Sequence, residues 1–313
     1  MRNPEPVRQP AGLGDARARL MLALLCVIWG TTWPIMKIAL DGFPPFTMRT
    51  ISTALAAPTL YFVCLASGRS LRLPNAKAWV HVVVASLLNI VFFTLLIAFA
   101  QLVAATSRVA ILAYTVPIWS LILAWPFLGE RPGLIQIVAL GLCCVGLTVL
   151  IYPLAASGIP LGLLLALAAG LSWAAGTVYL KWARIDADPV GVASWQLIIA
   201  FVVFVASVFL FEGGLQLGGA TARSLLATAF VGVAGGGIAY GLWFAIVPRL
   251  PAVTSSLAIL GSPVIGVLSS MVVLGEVPTT SDMIGFALIF AASACALLGR
   301  QLAAKSAPAT STP

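Results

Sequence analysis

Residues 117–130 read PIWSLILAWPFLGE and residues 263–276 read PVIGVLSSMVVLGE. Each is an apolar run that opens on a proline and closes on Leu-Gly-Glu, with 13 residues from Pro117 to Glu130 and from Pro263 to Glu276. A second pair lies upstream of these. Residues 29–37 are WGTTWPIMK and residues 173–181 are WAAGTVYLK, each with Trp and Lys 8 residues apart. The offsets between partners, 146 and 144 residues, nearly agree. Two independent pairs at one offset make the chain a duplication of a single plan.

The residues around these motifs set the medium in which that plan works. Of 313 residues, 61% are hydrophobic and 8% charged, where a soluble domain carries about 45–50% apolar and about 25% charged residues. Seventeen Lys plus Arg and nine Asp plus Glu are too few to cover a soluble globule of this size. The apolar residues fall in runs of about 20, the length that crosses a bilayer core of about 30 Å. Spans are expected at 20–40, 45–66, 79–100, 104–128, 132–151, 159–182, 190–211, 224–247, 252–274 and 280–299. The expected fold class is an all-α polytopic membrane protein with ten transmembrane helices. Residues 1–19 and 300–313 read as polar, disordered tails, residues 20–151 as the first repeat and 152–299 as the second. Little chain is left for a soluble catalytic or receptor domain.

Charge sets the orientation. With the N-terminus in the cytoplasm, thirteen of the seventeen basic residues lie inside or at inner helix ends, and four (Lys37, Arg49, Arg108 and Arg223) lie outside. That is the positive-inside pattern, and it puts both termini in the cytoplasm. Five spans per half is an odd number, so the halves enter the membrane from opposite sides. Inverted repeats of this kind are common among secondary transporters. The net charge of +8 follows from the same loop bias, and no nucleic-acid partner is expected. Cys26, Cys64, Cys143, Cys144 and Cys295 all fall in apolar spans and read as small buried hydrophobes. The first apolar run is too long for a signal-peptide core and lacks a cleavage site, so it is expected to remain as a span.

The WG…K element of the first span, the P…GE endings of spans 4 and 9, and the two five-helix halves resemble the drug/metabolite transporter superfamily, specifically its ten-helix EamA-type exporters. The Trp-rich first span and basic balance are similar to those of the YddG-like aromatic and amino-acid exporters. The resemblance covers residues 20–299. It implies a basket-like bundle with a central cavity lined chiefly by spans 1, 3, 4, 6, 8 and 9, and export of amino acids or related metabolites across the cell inner membrane. An exporter of drugs or other small metabolites would share the fold. A membrane-embedded enzyme or scaffold would need facing reactive residues or a large binding loop, and the sequence has neither.

The expected substrate-binding residues are Trp29, Trp33, Asn89, Tyr114, Trp173, Tyr179, Tyr240 and Trp243. Trp29, Trp33 and Lys37 stand at i, i+4 and i+8 and share one helix face. Aromatic walls with a few polar groups suit an amphipathic zwitterion through stacking and cation–π attraction to its ammonium. Interfacial anchoring of the tryptophans, and helix-to-helix hydrogen bonding by the amide and phenols, stay open as alternatives. Lys37 and Lys181 read as interfacial, and His81 as a solvated helix-end residue. Pro117 and Pro263 are expected to bend spans 4 and 9 and to serve as gates. Gly232/Gly236 and Gly237/Gly241 have small-xxx-small spacing, which permits close helix packing.

What the sequence omits is informative too. All nine acids lie in tails, loops or span ends, and none is at mid-membrane, where proton-coupled carriers usually hold theirs. Transport is therefore expected to be downhill, or at most weakly coupled to protons. No catalytic residue, metal ligand set or cofactor motif is evident. The expected partners are a small-molecule substrate and the lipid bilayer, and the expected state is a monomer.

Overall fold

The computed structural model describes residues 13–155, 160–246 and 260–306. Among the described residues ten helical elements run in chain order: α1 Leu13–Gly42, α2 Pro45–Ala66, α3 Ala76–Val103, α4 Thr106–Leu128, α5 Leu134–Ala155, α6 Leu161–Ala183, α7 Pro189–Glu212, α8 222–246, α9 Gly261–Leu274 and α10 Thr280–Ser306. Nine of them contain a stretch long and apolar enough to cross a membrane, and α9 is a shorter apolar helix. Residues 252–259, expected to open span 9, lie outside the described residues. No strand occurs among the described residues.

Local chemistry fixes the ends. Pro45 and Pro189 sit in the first turns of α2 and α7, where a missing N–H costs nothing. Asn75 accepts from Ala78 N, Asp188 accepts from Val190 N, and Thr221 with Ser224 forms a reciprocal capping box. Gly129 and Gly275 take left-handed backbone, with φ of 72° and 68°, a conformation that costs a side-chain-bearing residue energy. This explains the Leu-Gly-Glu endings: glycine turns the chain out of the helix, and the glutamate is carried to the edge of the bundle. Two expectations for the tails are corrected. α1 already begins at Leu13 and α10 continues to Ser306, because Ala, Arg, Gln and Lys are good helix formers that extend a helix once the span has nucleated it.

The duplication reaches into backbone irregularities. α3 carries a π-helical stretch at Leu87–Phe92 and α8 one at Val231–Ile238, starting 144 residues apart. α4 breaks at Tyr114 and Thr115 and restarts at Val116, while α9 starts at Gly261 after a turn at Leu260. Tyr114 and Leu260 are 146 residues apart. Insertions in the i→i−4 ladder at matched positions mark functional segments more often than chance faults.

α1 packs against α8 and α9, α6 against α3 and α4, α2 against α7 and α8, and α5 against α10. The α8 glycines meet α2 and α1 side chains directly: Gly236 faces Ala56, Gly241 faces Val63 and Gly235 faces Thr32. This is the close packing that their spacing leads one to expect. Apolar side chains cover the outside as well, with Val272 86% and Leu210 76% exposed. Hydrocarbon is the medium in which such a surface is stable.

Candidate functional site

Half-buried aromatic rings from four helices form one connected array. Phe93 of α3 meets Trp173 of α6 edge-on at 4.8 Å between centroids, and Trp173 stacks on Tyr240 of α8 at 6.3 Å and 25°. Tyr240 in turn takes Trp29 of α1 edge-on at 5.9 Å, and Trp29 lies 6.0 Å from Trp243. Trp29 and Trp173 are the repeat-related tryptophans of the paired motifs, and both converge on the same tyrosine. The π-helical stretch of α8 contributes here. The Trp29 indole Nε1 donates to Gly235 O at 3.1 Å, a carbonyl in the segment whose hydrogen-bond ladder is displaced.

A second group lies toward α4 and α9. Trp33 is 6.2 Å from Tyr114 between ring centroids, and Tyr114 Oη donates to Ser262 Oγ at 2.7 Å. Tyr114 sits at the α4 break. Its carbonyl is freed from the helix ladder and accepts instead from Ser293 Oγ of α10 at 3.2 Å, while Thr115 Oγ1 donates to Leu112 O. Irregular backbone at this depth is stable only with such protein partners. Pro117 lies in the first turn of the segment after the break, and Pro263 in the first turn of α9. The interruption in α4 therefore falls at residues 114–115, just before Pro117, since the ring crowds the preceding turn and removes one amide donor. A cavity of about 10 Å³, room for about one water molecule, lies beside Pro263 and is lined also by Tyr114 and Ser293.

The remaining candidates sit apart from these groups. Asn89, in the π-helical stretch of α3, is 7% exposed and donates to Gln196 Oε1 of α7 at 3.4 Å, while its Oδ1 has no partner. Tyr179 belongs to a group with His81 and Trp182. Its hydroxyl lies 2.7 Å from His81 Nδ1, so His81 is tied to α6 and not simply solvated. Lys37 Nζ donates to Gln101 O at 2.6 Å, and Lys181 pairs with Glu130. No group of three or more His, Cys, Asp or Glu able to hold a metal occurs among the described residues.

Several structural residues escaped the sequence reading. Glu212 accepts from Phe46 N, Thr47 N and Thr47 Oγ1 at 2.9, 2.8 and 2.7 Å, and Glu276 accepts from Thr106 N and Ser107 N at 2.6 and 2.9 Å. Each carboxylate supplies the missing cap of a helix in the other half, where it also meets the positive end of the helix dipole. Arg108 holds Asp282 through two bonds of 2.7 and 2.8 Å. The signal was present: α2 and α4 begin with no side-chain cap of their own.

The profile of the EamA-like transporter family matches the chain twice, over residues 17–152 and 160–298. The uncharacterized transporter YvbV of Bacillus subtilis is 28% identical over 300 residues, covering 94% of this chain and 96% of its own. A protein of Salmonella typhimurium named probable amino-acid metabolite efflux pump is 28% identical over 283 residues, covering 86% of this chain and 90% of its own. The uncharacterized inner membrane transporter YedA of Escherichia coli is 24% identical, with 90% of both chains covered. One solved crystal structure superposes with a TM-score of 0.64 at 23% identity, covering 92% of this chain and 99% of that one. That likeness concerns the fold.

Proposed function

The chain belongs to the EamA-like transporter family, and on that premise we propose that it exports amino acids, aromatic or neutral ones, by alternating access through a central cavity. As a family member it is a multi-pass membrane transporter and not an enzyme, and its substrate is a small molecule. The observation that carries the finer reading is the convergence of Trp29 and Trp173 on Tyr240. Rings from both halves offer their faces and edges within one short path, which suits an amphipathic ligand with an ammonium group and an apolar side chain. The name of the Salmonella relative points the same way.

In this reading Trp29, Trp33, Tyr114, Trp173, Tyr240 and Trp243 line the substrate path, Asn89 supplies a polar acceptor through its unused Oδ1, and Tyr179 acts from the His81 group at the cytoplasmic end. Pro117 and Pro263 mark the moving segments. The protein works as a monomer in the cell inner membrane with both termini in the cytoplasm. Flux measured in proteoliposomes over amino acids, sugars and hydrophobic drugs, with and without a pH gradient, tests it. Movement of aromatic or neutral amino acids is expected. Movement of drugs or sugars with no amino-acid flux would overturn the substrate assignment.

A further inference from the structure

Arg49 lies just over a turn inside α2 and is 6% exposed. Its Nη2 donates to the thioether Sδ of Met36 on α1, and its Nε has no partner. A thioether is a weak, uncharged acceptor, and among the described residues no ion pair involves Arg49. The acid that reaches this end of α2, Glu212, already spends both oxygens on Phe46 and Thr47. A guanidinium does not shed its proton in a protein. A buried charge left this way in a membrane span is costly, and in transporters such groups mark the substrate path.

A second unsatisfied group meets the same turn of α1. Gln101 of α3 is fully buried; its Nε2 donates to Trp33 O at 3.1 Å, and its Oε1 has no partner. Arg49 bonds Met36 and Gln101 bonds Trp33, three residues away on one helix, with Trp33 itself one of the aromatic candidates. We propose that Arg49 binds the carboxylate, and Gln101 Oε1 the ammonium, of an α-amino acid that occupies this turn of α1 beside Trp33 during transport. A guanidinium fork matches a carboxylate in two parallel bonds, and the lone amide oxygen supplies the acceptor that an ammonium requires. Met36 is a flexible side chain that moves aside at little cost. Trp29 is seven residues back, about 10 Å along the helix, so this station lies beyond the Tyr240 array on the side to which α1 runs. The inference rests on the amino-acid reading and names the groups that recognise the substrate's backbone.

The test is ligand-induced thermal stabilisation of the purified full chain by matched probes: phenylalanine, phenylalaninamide, 3-phenylpropionate and 3-phenylpropionamide. The two carboxylates should stabilise the wild type, and the two amides should not. Arg49→Gln should weaken carboxylate binding by about tenfold to a hundredfold. Arg49→Lys keeps the charge and loses the fork, so it should fall between. It decides the matter if Arg49→Gln does not fold. Gln101→Met should weaken phenylalanine and leave 3-phenylpropionate unchanged. Equal stabilisation by acid and amide, no stabilisation by either acid, or undiminished acid binding in the Arg49 variants would overturn the proposal. Carboxylate binding through Arg49 with no amino-acid flux would sink the export reading and leave this site standing. Amino-acid flux with unchanged KM in both Arg49 variants would do the reverse.

Discussion

Tyr114 Oη and Ser262 Oγ lie 2.7 Å apart and join the two points at which repeat-related helices start afresh. Tyr114 ends the first segment of α4, and Ser262 is in the first turn of α9. The halves thus touch through their own equivalent irregularities. The α4 break is held closed by Ser293 and Thr115, which take up the carbonyls of Tyr114 and Leu112. Discrete side-chain hydrogen bonds can be exchanged for others, which is the property a hinge requires.

Pro117→Ala and Pro263→Ala test whether the joint moves. Alanine at 117 restores an amide donor and removes the ring's clash with the turn before it, so α4 should tend to heal across residues 114–115. Proteoliposome flux should drop by about tenfold, corresponding to about 1.4 kcal/mol on the barrier, while substrate affinity holds. Wild-type rates in both variants would make the prolines static packing features.

The span count and the repeat were legible because apolar length and paired punctuation carry them directly. The break at Tyr114 was read three residues late, since a proline declares the residue at fault and not the turn that yields. Harder to see were Glu212 and Glu276. Sequence places them at span ends, and only the fold brings them to α2 and α4, more than 160 residues away along the chain. The aromatic array was half legible: helical spacing puts Trp29 and Trp33 on one face, but the meeting of Trp29, Trp173 and Tyr240 depends on how three helices cross. Arg49 looked like an ordinary outer-end charge. Its burial is a tertiary fact.

Trp173→Ala should lower transport more than folded yield. Removing the ring takes away the partner stacked on Tyr240 and the edge contact with Phe93. A cation–π contribution of about 0.5–2 kcal/mol corresponds to about twofold to thirtyfold in substrate affinity. Flux at matched membrane expression checks it, and a wild-type KM for aromatic amino acids would remove Trp173 from the site.

A pH gradient should not drive substrate above its equilibrium ratio. Five of the described acids are engaged: Glu212 and Glu276 cap helices, Asp282 holds Arg108, Asp188 pairs with Arg69 and Glu130 with Lys181, while Asp41 is exposed at the end of α1. None sits in the aromatic array to bind and release a proton during passage. Accumulation of labelled substrate in proteoliposomes with an imposed gradient, compared with the same vesicles after its collapse, decides the point. Uphill accumulation that vanishes on collapse would establish coupling.

The ties between the halves should be visible in stability. Asp282 is 4% exposed, and one oxygen depends on Arg108 alone while the other also accepts from Thr279 N and Oγ1 at 2.9 Å each. Arg108→Met would leave that carboxylate buried with part of its hydrogen bonding intact, so the loss should sit near or below the lower end of the roughly 3–5 kcal/mol seen when one member of a buried pair is removed. Arg108→Met combined with Asp282→Asn removes the stranded charge and should recover much of the loss. Glu276→Gln is a different kind of change. It keeps one acceptor oxygen for Thr106 N or Ser107 N and turns an amide group on the other, at a cost of about 0.5–2 kcal/mol typical of a lost cap. Thermal unfolding of purified protein over the four-member Arg108/Asp282 cycle, with Glu276→Gln beside it, measures these effects. A strictly additive cycle would mean that the two side chains do not stabilise each other, and that α4 is held to α10 by packing and by the Ser293–Tyr114 bond.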